Sequence, residues 1–149
     1  MPDTALDTAD LLAIHQLLAL YGHLLDDGHF DRLSEIFAED AVLTFPGRER
    51  AAIRTGAAIT QFFATAAGSS AHHTTNIVVV ADGDRVRVRS KFLVPYTRPE
   101  HDVHRWYGGV YEDVVVRTPN GWRIASRAID GRWQLTAGDG PFPPHRATF

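Results

Sequence analysis

Apolar residues recur at steps of three and four along the first part of the chain. Leu11, Ile14, Leu18, Tyr21 and Leu25 share one helical face, and Leu17 and Leu24 widen it. Asp7 or Thr8 can cap the start of this helix, and Asp26-Asp27-Gly28 ends it, the glycine being suited to a left-handed stop. A second helix is expected over roughly Phe30 to Ala38, burying Phe30, Leu33, Ile36 and Phe37. Ala41 to Phe45 reads as a short strand broken by Pro46-Gly47, and a third helix is expected from about Gly56 to Ala67, with Ile59, Phe62 and Phe63 inside.

The period then changes to two. His72 to Ala81 is β-branched and ends in Asp82-Gly83-Asp84, a hairpin signal. From Arg85 to Pro95 the chain alternates, with Val86, Val88, Phe92 and Val94 on one face and Arg87, Arg89 and Lys91 on the other. A loop over Thr97 to His104 leads to a third long strand, Trp106 to Arg117. Thr118-Pro119-Asn120-Gly121 turns the chain into a fourth, Trp122 to Trp133. The tail from Thr136, rich in Gly and Pro, reads as an irregular arm.

Helices followed by strands predict an α+β layer fold rather than alternating βαβ units. Three N-terminal helices are expected to pack on a strongly curved, mostly antiparallel sheet. Such a sheet forms a cone-shaped half-barrel with one pocket, because long twisted strands curl over their helices and leave a concave mouth. At 149 residues the chain is read as one domain, 1–149. With 44% hydrophobic and 22% charged residues its composition is that of a globular protein able to bury a sizeable core. There is no cysteine, which excludes disulfides, thiolate nucleophiles and thiolate zinc sites. A net charge of -3 without a basic stripe argues against nucleic acid. The acidic start (Asp3, Asp7, Asp10) and the lack of any apolar run of ~20 residues argue against a signal peptide and a membrane span. A cytoplasmic location is the expectation.

Several segments resemble a known family. Tyr21-Gly-His-Leu-Leu-Asp26, Phe30-Asp31-Arg32-Leu33 and Ile36-Phe37-Ala38-Glu39-Asp40-Ala41 are similar to the opening of SnoaL-like proteins, within the nuclear transport factor two superfamily. His72-His73-Thr74-Thr75-Asn76 resembles that family's His-x-x-x-Asn segment at the start of its long strand. Gly109-Val-Tyr111-Glu-Asp113 and Asn120-Gly121-Trp122-Arg123-Ile124 resemble its penultimate hairpin, and Arg127 its last strand. The match spans about Leu11 to Trp133. Aspartate and histidine at the places of Asp26 and His72 recur as a dyad in lyases of the superfamily: scytalone dehydratase, hexachlorocyclohexane dehydrochlorinase and the bile-acid dehydratase. The last also shares a tyrosine at the place of Tyr21. Scytalone dehydratase has a second pocket histidine where this chain has Tyr96, and its serine and asparagine on the third long strand fall near Gly109 and Tyr111. The resemblance therefore implies β-elimination or isomerisation on a small hydrophobic cyclic or polycyclic molecule, without naming it. It also implies a homodimer. It leaves open a non-catalytic binding protein, or a structural subunit like the β subunits of ring-hydroxylating dioxygenases.

The residue chemistry fits such a reaction. A neutral imidazole accepts a proton near pH 7, and a carboxylate on its other nitrogen fixes the tautomer. His72 is the expected general base, Asp26 its orienting partner and Tyr21 a hydrogen-bond donor. No cofactor or metal is needed when the substrate proton is already acidified. Asp26 is expected to face the pocket and Asp27 water. His72 and His73 are strand neighbours and point to opposite faces. Periodicity alone sends His73 inward with Thr75, Ile77 and Val79, whereas the four-residue spacing to Asn76 favours His72, the reading adopted. Asn76, Tyr96, Tyr111 and His73 are the candidate substrate contacts. Tyr107 and Tyr111 line the pocket if their strand face is concave and support a dimer if it is not. His15, His23 and His29 read as surface or capping groups, His101-Asp102-Val103-His104 as a solvated loop, and Trp106, Trp122 and Trp133 as core or interface residues.

Overall fold

Asp7 starts the first helix by reciprocal capping. Its carboxylate accepts the Asp10 backbone N–H at 2.8 Å, and the Asp10 carboxylate accepts the Asp7 N–H in return, satisfying two donors that a helix start leaves open. The helix, α1, spans Thr8–Asp26 and buries Ile14, Leu17, Leu18, Tyr21, Leu24 and Leu25, while Leu11 stays at the margin. Asp27 forms the C-cap and Gly28 turns the chain at φ +73°, a conformation that costs glycine no side-chain clash. The structure, a computed structural model, describes residues 5–66, 68–83, 85–98 and 103–136.

The second helix is shorter and tighter than its apolar pattern suggests. A 3-10 segment covers Phe30–Glu35, and Phe37 and Ala38 already belong to strand β1 (Phe37–Thr44). The sheet is the cause. The Ile36 carbonyl accepts the Ile124 N–H at 2.8 Å and Phe37 pairs with Ile124, so ladder hydrogen bonds replace those of a last helical turn. Leu33, Ile36 and Phe37 are buried all the same. A two-residue strand, β2 (Ile53–Arg54), pairs with β1. Helix α2 (Gly56–Thr65) follows, capped by the Thr55 hydroxyl, which accepts the Ala58 N–H at 3.2 Å.

The remaining strands are β3 (Ser69–Ser70), β4 (His73–Asp82), β5 (Arg85–Arg98), β6 (Val103–Thr118) and β7 (Gly121–Thr136). The last four form the expected antiparallel meander. Thr97 and His104, expected in a loop, are strand residues. Strand β1 runs parallel to β7, so the sheet is mixed, in the order β2-β1-β7-β6-β5-β3 with β4 also on β5. Strands of 14 and 16 residues accumulate enough twist to curl, and the sheet forms an open half-barrel over its helices. The fold is α+β. Asp84, His101, Asp102 and the arm beyond Thr136 lie outside the described residues.

Alternation sorts the two faces. On β5, Val86, Val88, Ser90, Phe92 and Val94 are buried on the concave side, and Arg87, Arg89 and Lys91 are exposed on the convex side. On β6 the concave face carries Tyr107, Tyr111 and Asp113. Trp122 is buried and donates its indole N–H to Asp10 at 3.2 Å, whereas Trp106 and Trp133 are about half exposed. No helix among the described residues is long and apolar enough to cross a membrane.

Strand β4 changes face partway. Thr74 pairs with Phe92 and so faces inward, and beyond a bulge Val79 pairs with the inward Val88. The bulge lies between Thr75 and Val78, with Asn76 at φ +53°, and an extra residue of this kind shifts the alternation by one.

Candidate functional site

The end of α1 meets the chain that enters β4. Asp26, in the last turn of the helix, receives three hydrogen bonds from that chain. The Ser70 hydroxyl donates to Oδ1 at 2.8 Å and the His72 backbone N–H to Oδ2 at 2.7 Å, and the His72 Nδ1 lies 2.6 Å from Oδ1. Ser70 and His72 are two residues apart in extended chain, so their side chains point the same way. One helical turn earlier, Gly22 permits the approach: a Cβ there would stand 3.1 Å from the His72 Cβ and 3.3 Å from its carbonyl oxygen. Asp27 is exposed.

An ionised carboxylate can only accept, so Nδ1 carries the imidazole hydrogen and Nε2 the lone pair. Burial penalises the charge on Asp26, but the His72 ring, the His72 N–H and the Ser70 hydroxyl together hold its carboxyl below the ordinary carboxylate value. At His72 burial prevails and sets the imidazole below its ordinary 6.5, although Asp26 pulls it up. The pair at neutral pH is therefore a carboxylate and a neutral imidazole.

His72 opens onto a cavity of about 570 Å³ between the helices and the concave sheet. Its walls are largely aromatic: Phe62 and Phe63 from α2, Phe92 and Tyr96 from β5, and Tyr107 and Tyr111 from β6. Tyr96 donates its hydroxyl to the Ala66 carbonyl at 3.3 Å, and its ring covers Gly68 so closely that a Cβ there would stand 2.6 Å away. Tyr21 is buried, edge-on to the His72 ring with centroids 5.7 Å apart. Tyr111 stacks on Phe92 at 4.4 Å.

Beneath these rings lies an ion pair with both side chains fully buried. Arg127 donates to both Asp113 oxygens, at 2.7 and 2.8 Å. Its guanidinium carbon sits 4.1 Å from the Tyr21 ring centre and 4.2 Å from that of Tyr111. One guanidinium nitrogen, Nη1, has no partner among the described residues. Burial raises both tyrosine pKa values, although Arg127 acts to lower them, so both hydroxyls stay protonated. Burial disfavours the Arg127 cation, but Asp113 more than offsets this and raises its pKa.

The structure thus brings Asp26, His72 and Tyr21 together and sets Tyr96 and Tyr111 on the cavity wall. It does not bring His73 or Asn76 there. His73 is exposed, with its Nδ1 3.0 Å from the Ala71 carbonyl, and Asn76 is exposed at the bulge beside Thr75. The bulge explains both departures. Periodicity read back from Ile77 and Val79 points to His73 only if the strand is regular, and the same extra residue turns Asn76 outward. The sequence reading missed Ser70, Asp113 and Arg127 as site residues. The Ser70-x-His72 spacing was an available signal. The Asp113–Arg127 pairing was harder to see, because the Thr118–Gly121 turn alone sets Asp113 opposite Ser126, and a second bulge at Val114–Val115 shifts the register by one. Among the described residues no group of three His, Asp or Glu could hold a metal ion.

A curled mixed sheet over helices is the fold of the nuclear transport factor two-like class. The SnoaL-like domain matches residues 7–128, and the chain belongs to that family. Uncharacterized protein Rv2910c of Mycobacterium tuberculosis is 31% identical over 125 residues, covering 81% of this chain and 84% of its own. A provisionally named scytalone dehydratase from Novosphingobium aromaticivorans has a similar structure, with a TM-score of 0.73 at 20% identity over 90% of this chain and 89% of its own. A hexachlorocyclohexane dehydrochlorinase of type 2 superposes with a TM-score of 0.75 at 19% identity, over 92% and 95%. At such identities the two structural likenesses concern the fold.

Proposed function

We propose that this protein is a cofactor-independent lyase or isomerase that removes a proton from a small hydrophobic cyclic molecule, with His72 as general base. The observation that carries this reading is the 2.6 Å contact between His72 Nδ1 and Asp26 Oδ1 at the wall of an aromatic cavity. The dehydratase and dehydrochlorinase names borne by proteins of similar structure support a lyase-type family.

In the proposed step Nε2 takes a proton from carbon next to a carbonyl or conjugated ring. The C–H electron pair forms the new double bond, and a hydroxyl or halide leaves the adjacent carbon with its bonding pair. The imidazolium, held by Asp26, returns the proton to a departing hydroxyl as water. The Tyr21 hydroxyl, protonated because it is buried, is suited to donate to the developing enolate oxygen, a contribution of about 3 kcal/mol for one well-placed donor. The Arg127 guanidinium, 4.1 Å from the Tyr21 ring centre, acts to lower that hydroxyl's pKa against the effect of burial. An isomerase would return the proton to another carbon with the same groups.

The test is incubation with a panel of cyclic β-hydroxy and β-halo ketones, followed by mass spectrometry for elimination or for deuterium uptake from D2O. His72→Ala and Asp26→Asn should each lower kcat/KM by about 10²–10⁴-fold with the fold intact. Conversion equal to wild type in both variants contradicts the base assignment. Bound but unchanged ligand across the panel supports a binding protein instead.

A further inference from the structure

The cavity has a polarity that the dyad does not use. His72 and Ser70 stand on one wall, and Asp26, which is not itself among the lining residues, accepts hydrogen bonds from both. The described lining holds no carboxylate, and its one permanently charged side chain is Arg48, in the segment between β1 and β2. Arg48 is exposed beside Phe45 and Pro46 and makes no ion pair among the described residues. The adjacent carboxylate, Glu49, accepts the Gly47 N–H at 3.0 Å and forms no ion pair with Arg48. On β6 Arg105 donates to the hydroxyl oxygen of the cavity-lining Tyr107 at 3.4 Å, and the Tyr107 O–H has no acceptor among the described residues.

We infer that the natural ligand is a mainly planar hydrophobic ring system bearing an anionic group, a carboxylate or sulfonate, that is read by Arg48 at the rim. This rests on the proposed function, because it takes the ring to lie against the aromatic walls with its acidic C–H toward His72. The anionic group then projects to the exposed cation, where it keeps most of its hydration. Guanidinium suits this task, since its planar fork matches carboxylate and sulfonate oxygens. At an exposed rim one such pair gives a preference of about fivefold rather than a thousandfold.

The experiment is a fluorescence titration of the full chain with two probes of the same ring skeleton, 1-anilinonaphthalene-8-sulfonate and N-phenyl-1-naphthylamine. Gly131→Phe marks the cavity, because Gly131 lies on the lining and its Cβ position is open space; Ala66→Trp marks it independently. The binding that these plugs remove should favour the sulfonate by about fivefold, and Arg48→Gln should erase that preference while shifting the neutral probe less than about twofold. The inference is overturned if the preference survives in Arg48→Gln, if wild type binds both probes equally, or if the sulfonate still binds both plugged variants. If the preference is absent while His72-dependent turnover persists, the anion site alone is lost. If it is present without turnover, the lyase reading fails and the site stands.

Discussion

At the residue scale the site depends on how closely two chain segments approach. Gly22 sits mid-helix, where glycine costs stability relative to alanine, yet here it faces the His72 backbone and Cβ. Gly22→Ala should improve helix propensity and at the same time push His72 outward by a few tenths of an ångström. The expected result is an unchanged or slightly altered melting temperature with kcat lowered about tenfold, because small misplacements of a catalytic group are costly. A variant with full kcat would show that the contact is idle. The three candidate catalytic residues were legible through the family resemblance and not from local pattern, since an aspartate before Asp27-Gly28 reads as a cap and strand periodicity alone favours His73 over His72. Ser70 was not singled out, since a serine in a polar connection carries no signal until its partner is known.

At the element scale the bulge in β4 decides which histidine enters the cavity. Asn76 takes a positive φ, a conformation tolerated by asparagine and glycine and disfavoured for β-branched residues. Asn76→Gly should keep both stability and activity. Asn76→Val should cost about 1–2 kcal/mol in chemical denaturation and lower activity by loosening the register that presents His72. If Asn76→Val is as stable as wild type, the bulge is not held by this residue. The same element shows what sequence periodicity can and cannot carry. It gave strands β5 to β7, and the two faces of β5, which alternates from Arg85 to Pro95, but it left open which face of β6 is concave. It misjudged the end of the second helix, because the pull of β7 on Ile36 and Phe37 is a long-range hydrogen-bonding effect absent from local pattern.

At the scale of the whole molecule, the Arg127–Asp113 pair joins the sheet to α1 through the Tyr21 ring. Removing one member of a buried pair leaves an unpaired charge, so Arg127→Met should destabilise by about 3–5 kcal/mol. The double variant Arg127→Met with Asp113→Leu should recover most of that loss. It should remain poorly active, because Tyr21 would have lost the cation behind its ring. Full activity in the double variant would assign the pair to stability alone. These groups lie on three different elements and meet only when the half-barrel closes, so their union was not readable from any one segment.

The proposed base chemistry depends most directly on the protonation state of His72, which nitrogen-15 NMR of the imidazole reads without a substrate. Because burial lowers the folded pKa, the neutral form should persist as pH falls below 6.5, the base should be lost only at lower pH, and kcat/KM should rise with pH through that lower value and then level off. The expected spectrum at pH 7 is a neutral ring protonated on Nδ1, with a midpoint below 6.5. A His72 ring protonated on Nε2 at pH 7, or one that titrates above 6.5, would contradict the account.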